Sequence, residues 1–381
     1  AERYSSSNRT ITNLGNEDWV SQTEARFDLS RLDGTNGFTV SGLADFDVAG
    51  RAVSGAGDIN GDGIDDILIG ALGADINNVE NAGATYVIFG TANGFNTNFD
   101  LTSLNGTNGF TINGIEADEN SGFAVSDAGD VNGDGIDDII IGAPFDDGTS
   151  ITGKSYVVFG NANGFAASFN LSTLNGSNGF VVDTTAFQAE AGYSVSGGGD
   201  YNGDGIDDII IGARQAGANG QSFVGEAYIV FGSTDGFVAE INSRDLDGLN
   251  GFTLQGTTTF DGAGHSVSDA GDVNGDGIDD ILVSAFGANP AGRTSAGETY
   301  VIFGQTEGFA DTIDLADLDG TDGFALRGIS SRDQSGVSVA GGGDLNGDGY
   351  TDIVIGASEA DVGNAIRQGE TYVIFGHEGG F

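Results

Sequence analysis

The chain has 381 residues, with 57 acidic against 12 basic side chains and a net charge of −45. That excess disfavours nucleic acid and anionic lipid as partners, since both require a basic patch. With no cysteine there is no disulfide or thiol chemistry, and no run of 18 apolar residues is present to cross a membrane as a helix.

Residues 1–26 are polar, carry the single tryptophan, Trp19, and read as an N-terminal arm outside the repeats. No methionine stands anywhere, position 1 included, which leads to the expectation of a processed or excised chain. From Phe27 the sequence repeats, with the restarts at Phe99, Phe169, Ile241 and Ile313. Each unit opens with a short strand D, at 37–42, 109–114, 179–184, 251–256 and 323–328. A variable loop leads to strand A, rich in Gly, Ala and Ser, at 50–55, 122–127, 192–197, 264–269 and 336–341. Such small residues suit crowding near an axis, where backbones approach closely.

Next comes a nine-residue loop, Asp58-Ile59-Asn60-Gly61-Asp62-Gly63-Ile64-Asp65-Asp66, which returns from Asp130, Asp200, Asp272 and Asp344. An apolar, β-branched strand B comes after each loop, as in Ile139-Ile140-Ile141. A second variable loop then reaches strand C, built around Tyr-Val-Ile-Phe-Gly, at 85–90, 155–160, 227–232, 299–304 and 371–376. Period-2 runs punctuated by glycine, with almost no helical periodicity, predict strands throughout. Four short strands per unit of roughly 70 residues predict an all-β fold, a β-propeller of four-stranded antiparallel blades. The chain starts with a strand D and stops after a strand C. The expectation is therefore five blades in residues 27–381, closed by the N-terminal strand completing the last blade. An arc of a longer, seven-bladed ring is the competing reading.

The loop carries the chemistry. Calcium takes six to eight oxygen ligands in a flexible shell. Alternate positions 1, 3, 5 and 9 offer side-chain oxygens, position 7 a carbonyl, and glycine at position 6 the sharp turn, as in the first half of an EF-hand loop. The expected ligands in the first loop are Asp58, Asn60, Asp62, Ile64 through its carbonyl, and Asp66. In the second they are Asp130, Asn132, Asp134, Ile136 and Asp138; in the third, Asp200, Asn202, Asp204, Ile206 and Asp208. The fourth supplies Asp272, Asn274, Asp276, Ile278 and Asp280; the fifth, Asp344, Asn346, Asp348, Tyr350 and Asp352. Position 12 is Ile or Val where an EF-hand has glutamate, so the loop joins strands and not helices. Position 8 is Asp in four copies and Thr351 in the fifth, and is not expected to be a ligand. Metal-free Asx turns are the alternative, but three carboxylates within nine residues would repel one another in an empty turn. Magnesium is disfavoured because it prefers few protein ligands in a rigid octahedron. Calcium in five sites is thus the expected cofactor, and calcium loops of this kind suit a secreted or cell-surface location.

The pattern in Gly122–Ala143 resembles the FG-GAP repeat of integrin α-subunit propellers and related bacterial surface proteins. The resemblance covers residues 27–381. It implies calcium in the loops between strands A and B, on one face of a disc, and a non-catalytic role in adhesion. The Phe-Gly of the repeat is altered, and Gly-Ala-Pro survives in full only at Gly142-Ala143-Pro144. Integrin propellers have seven blades, so five units leave their partner site without a counterpart here. No Asp-x-Ser-x-Ser adhesion motif is present.

Strand alternation places the loops at 72–83, 144–153, 214–225, 286–297 and 358–369 on the face opposite the Asp-rich loops. A rigid scaffold with divergent loops suits recognition of a protein or glycan partner, or self-assembly. An enzyme, such as a polysaccharide lyase or hydrolase, is the other class. The raw material is poor: one lysine, two histidines, and no Gly-x-Ser-x-Gly or His-Glu-x-x-His motif. His265, on strand A, reads as a packing or channel residue.

Overall fold

The computed structural model describes residues 27–145, 152–184, 188–218, 220–363 and 365–379. The N-terminal arm expected at 1–26 lies outside these. Among the described residues there is no α-helix. Twenty-four strands and five single-turn 3-10 segments form five repeat-based sheets and one isolated strand pair.

Each blade takes strands A, B and C from one repeat and strand D from the start of the next. In the second blade these are Ala124–Gly129, Asp138–Ala143, Lys154–Val158 and Gly179–Asp183. They pair antiparallel throughout, with Ile140 opposite Ser126 on one side and Val157 on the other. The first, third and fourth blades repeat this order.

Each of the first three blades also has a fifth strand that the sequence pattern does not suggest. Ser168–Asn170 runs parallel to Gly109–Asn113 of the first blade, Glu240–Asn242 to Gly179–Asp183, and Thr312–Asp314 to Gly251–Gln255. The segment carrying the repeat's first Phe or Ile therefore seals the outer edge of the preceding blade. Its short length and polar flanks hide it from any period-2 test.

The cores lie between blades. Strand B is buried along its whole length in the second, third and fourth blades. Its alternation sends Ile139 and Ile141 into the cluster shared with the first blade's Leu68, Val87 and Phe110. Ile140 goes the other way, against Ile209, Ile211 and Tyr228 of the third. A continuous β-branched run is the consequence, because each face meets a neighbouring sheet. The strands A of successive blades lie against one another. A Cβ on Gly197 would stand 2.7 Å from the Cα of Ala128 on the neighbouring strand A, so only glycine fits there.

Among the described residues no strand pairing closes the sheets into a ring. The fifth blade has, among the described residues, three strands, Ser338–Gly341, Ile353–Ala357 and Glu370–Ile374. The N-terminal strand, Thr39–Val40, pairs parallel with Asn98–Phe99. That is the pairing strand D makes with its edge strand in the first three blades, so Thr39–Val40 occupies a strand-D place beside the first blade. No pairing joins it to Glu370–Ile374 among the described residues.

Candidate metal centre

The five Asp-rich loops connect strand A to strand B of their blades and lie in a row along one edge of the stack. Glycine at position 6 has φ between 85° and 95° in all five, at Gly63, Gly135, Gly205, Gly277 and Gly349. Only glycine adopts this without strain, and it turns the chain back over the loop.

The position-1 carboxylate organises the turn. Asp58 accepts hydrogen bonds from the backbone N–H groups of Asp62 at 2.9 Å and Gly63 at 2.7 Å. Asp130, Asp200, Asp272 and Asp344 each accept the equivalent pair. For Asp344, those N–H bonds hold the carboxyl below the usual carboxylate range. Position 5 repeats the device one step on: Asp62, Asp134, Asp204, Asp276 and Asp348 each accept from the position-7 N–H, at 2.9–3.1 Å.

Position 9 differs in burial. Asp66, Asp138, Asp208, Asp280 and Asp352 are all buried. Asp138 accepts from Val131 N–H at 3.1 Å and from Gly160 N–H at 2.8 Å, which ties the loop to the end of strand C. Burial, reinforced by the charges of Asp134 and Asp130, pushes its carboxyl up to about 8. Burial and the same two loop positions push Asp208 and Asp280 to about 8 and Asp66 to about 7. Like-charge repulsion among positions 1, 5 and 9 is therefore a property of the folded loop and not only of its composition.

Position 3 takes two arrangements. Asn60 and Asn132 donate their amides toward Asp66 and Asp138. Asn202, Asn274 and Asn346 donate to the position-5 carboxylate, at 2.8–3.1 Å. Position 7 packs its side chain on the glycine that ends strand C: Ile136 lies beside Gly160 and Tyr350 beside Gly376.

Among the described residues no three His, Asp or Glu side chains converge into a ready-made metal cluster. The carboxylates at positions 1 and 5 lie instead on backbone N–H groups of their own loop. The donor set still fits a hard divalent cation. It consists of oxygens alone, three of them carboxylates, and in four loops the most buried one is destabilised by burial first and by the other two after it.

Position 8 has a role that spacing could not reveal. Asp137 Oδ2 accepts from Asp58 N–H at 2.7 Å, Asp207 Oδ2 from Asp130 N–H at 2.7 Å, and Asp279 Oδ2 from Asp200 N–H at 3.1 Å. Each is a strap from one blade to the loop of the blade before it. In the fifth blade Thr351 cannot supply a carboxylate, and its own N–H bonds to Asp272 O at 2.9 Å. Asp137→Ala is expected to cost about 1.5–3 kcal/mol, the range for a hydrogen bond to a charged group. Urea unfolding read by the midpoint at unchanged slope checks this.

The opposite face carries a ladder of aromatic and basic side chains. Arg51 stands 3.7 Å over the Phe123 ring, and Arg214 stands 3.6 Å over Tyr193. Tyr193 reaches His265 at 5.3 Å, and His265 reaches Phe286 at 4.1 Å. Burial, with Arg214 nearby, lowers His265 to about 4, so it is neutral at pH 7. The residue packs as the sequence suggests.

The FG-GAP repeat matches the chain at residues 49–88, 124–158, 191–230, 266–302 and 335–374, about half of its length. The chain is 30% identical over 278 residues to integrin alpha pat-2 of Caenorhabditis elegans, a stretch that covers 72% of this chain and 21% of that one. It is 29% identical over 249 residues to integrin alpha-5 of Xenopus laevis, covering 63% and 20%. It is 33% identical over 156 residues to integrin alpha-6 of Homo sapiens, covering 41% and 12%. The chain thus spans about a fifth or less of the length of these relatives.

Proposed function

The chain belongs to the FG-GAP repeat family, and from that premise we propose that it is a calcium-binding, non-catalytic propeller module for adhesion or assembly outside cells or at a cell surface. One observation carries the calcium part: all five loops bury the position-9 carboxylate, and in four of them burial and the carboxylates of positions 1 and 5 push that group, Asp66, Asp138, Asp208 or Asp280, well above the usual carboxylate range. Repulsion of that kind favours either protonation or a cation, and at pH 7 and above a divalent cation competes well.

Positions 1, 3, 5 and 9 would hold calcium through side chains and position 7 through its carbonyl. Calcium supplies no reaction here. It neutralises the loops and fixes the turn between strands A and B, and through strand A the blade-to-blade packing. No helix among the described residues is long and apolar enough to cross a membrane.

The adhesive role is supported by the integrin α relatives, and the divergent loops opposite the Asp-rich edge are the proposed contact surface for a protein or glycan partner. Calorimetric titration of chelator-treated protein with calcium tests the metal reading. About five ions per chain are expected, from five donor sets of the kind calcium prefers. Asp208→Ala, which removes one buried carboxylate, should reduce that stoichiometry by one. No heat of binding, with magnesium giving none either, would sink the reading.

A further inference from the structure

In an Asn-Gly pair the glycine nitrogen can attack the side-chain amide of the asparagine before it, with no Cβ in the way. The chain holds fifteen such pairs, and five of them are positions 3 and 4 of the Asp-rich loops. The structure treats them differently. In the first loop the Gly61 N–H donates to the Asp58 carbonyl at 3.2 Å, and elsewhere the N–H groups of Gly94, Gly106 and Gly164 also donate to backbone carbonyls. In the fourth and fifth loops the glycine N–H is turned onto a carboxylate. Gly275 N–H donates to Asp272 Oδ1 and Gly347 N–H to Asp344 Oδ1, both at 2.6 Å.

The asparagines of these two loops are held as well. Asn274 Oδ1 accepts from Asp276 N–H at 2.8 Å, and its Nδ2 donates to Asp276 Oδ2 at 3.0 Å. Asn346 makes the same two bonds with Asp348, at 2.9 Å and 2.8 Å. Asn202 has this pair too, but among the described residues the Gly203 N–H has no carboxylate on it. Asn60 and Asn132 turn their amides to position 9. Among the described residues, only the fourth and fifth loops combine a carboxylate on the glycine nitrogen with a donor on the asparagine oxygen.

We propose that Asn274 and Asn346 are self-modifying sites, at which the metal-free loop closes its own asparagine into a succinimide. In the fourth loop the Gly275 nitrogen attacks Asn274 Cγ, and the new C–N bond completes a five-membered ring. Asp272 takes the proton from that nitrogen as general base. The Asp276 N–H stabilises the negative charge that develops on Asn274 Oδ1. The Cγ–Nδ2 bond then breaks, and the amide leaves as ammonia, carrying the proton that Asp272 took. One water opens the ring at either carbonyl, leaving aspartate or isoaspartate at position 3. Asn346 is exposed, so water reaches its ring. Asn274 is 7% exposed and Tyr350 lies against Gly275, so there the succinimide accumulates. Isoaspartate adds one atom to the backbone between positions 3 and 4, which shifts the later oxygens of the loop out of step with position 1. Calcium would engage the oxygens of Asp272, Asn274 and Asp276 and so stop the reaction. That protection rests on the calcium reading; the cyclisation does not. The two loops thereby record the time spent without metal.

The full chain, aged at neutral pH in chelator and in oxygen-18 water, is read by peptide mass spectrometry. Loss of ammonia marks the ring, and a labelled oxygen marks the opened product. Asn274 and Asn346 are expected to react at least about tenfold faster than Asn60 and Asn132, and faster than in the same chain unfolded in urea. Equal rates at the four sites would overturn the proposal. So would slower reaction in the folded chain than in urea, which would show that the hydrogen bonds protect the side chains. Asp272→Asn keeps an acceptor near Gly275 but removes the base, so the rate at Asn274 should fall at least about tenfold while Asn346 in the same chain is unchanged. Asp344→Asn is the reciprocal variant, with Asn274 as its internal control. An unmoved rate beside the substituted aspartate in both variants would rule out the carboxylate as base and the proposal with it. With calcium restored, reaction at both sites should drop at least about tenfold. Undiminished reaction in calcium, with the ranking in chelator intact, would sink the calcium reading and leave the cyclisation standing.

Discussion

Removal of calcium is expected to lower the melting temperature by more than about 15 °C. A ligand that binds only the folded state at a hundredfold excess over its dissociation constant contributes about 2.7 kcal/mol per site, so five such sites contribute on the order of 13 kcal/mol. The effect is large because each loop sits where strand A, packed against the strands A of neighbouring blades, turns into strand B. It also carries the strap to its neighbour, as Asp58 N–H does to Asp137. Differential scanning calorimetry in calcium and in excess chelator checks it, with magnesium as the control. An unchanged melt would mean that the Asx turns hold the loops by themselves. That outcome would remove the metal from the function while leaving the fold intact.

The second large effect is a pH dependence that changes sign with the metal. In chelator, Asp138, Asp208 and Asp280 titrate at about 8 in the folded state, and Asp66 at about 7, against an unfolded value of 3.8. Between those limits the folded chain binds more protons than the unfolded one. Stability then falls as pH rises, from near 4 up to about 8. The metal-free protein should accordingly melt highest near pH 4–5 and lose on the order of 10 °C by pH 8. Calcium reverses the sign because it competes with the proton for the same carboxylates, so its affinity rises over the same window. Melting curves across pH 4–8 with and without chelator read both slopes. A chelated protein whose melting point rises with pH would show that the position-9 carboxylates are ionised at no cost, and the electrostatic argument for the cation would go with it.

Most of the fold was legible in the chain, for a physical reason: local periodicity and turn chemistry agree in every repeat. Strand B is read from its β-branched run and is found at Ile67–Ala71, Asp138–Ala143, Asp208–Ala213, Asp280–Ala285 and Ile353–Ala357. Strand D is read from Gly-Phe and is found within a residue of its expected bounds in the complete blades. Strand A is the exception that explains itself. It runs six residues at Ala124–Gly129 but three at Val53–Gly55, where no preceding blade lies against it.

The amino-acid order by itself determined the repeat, the all-β class and the oxygen-rich loop, because these depend on residues within about a dozen positions of one another. Tertiary structure decided the rest. It made position 9 the buried carboxylate and position 8 the strap, although both are aspartates side by side: strand alternation turns Asp138 inward and leaves Asp137 facing the blade before it. It laid a parallel strand on the outer edge of three blades, and it set Thr39–Val40 beside Asn98–Phe99. Each of these is a contact between residues dozens of positions apart. Local pattern carries no term for such a contact; only the packing of one sheet on the next selects it.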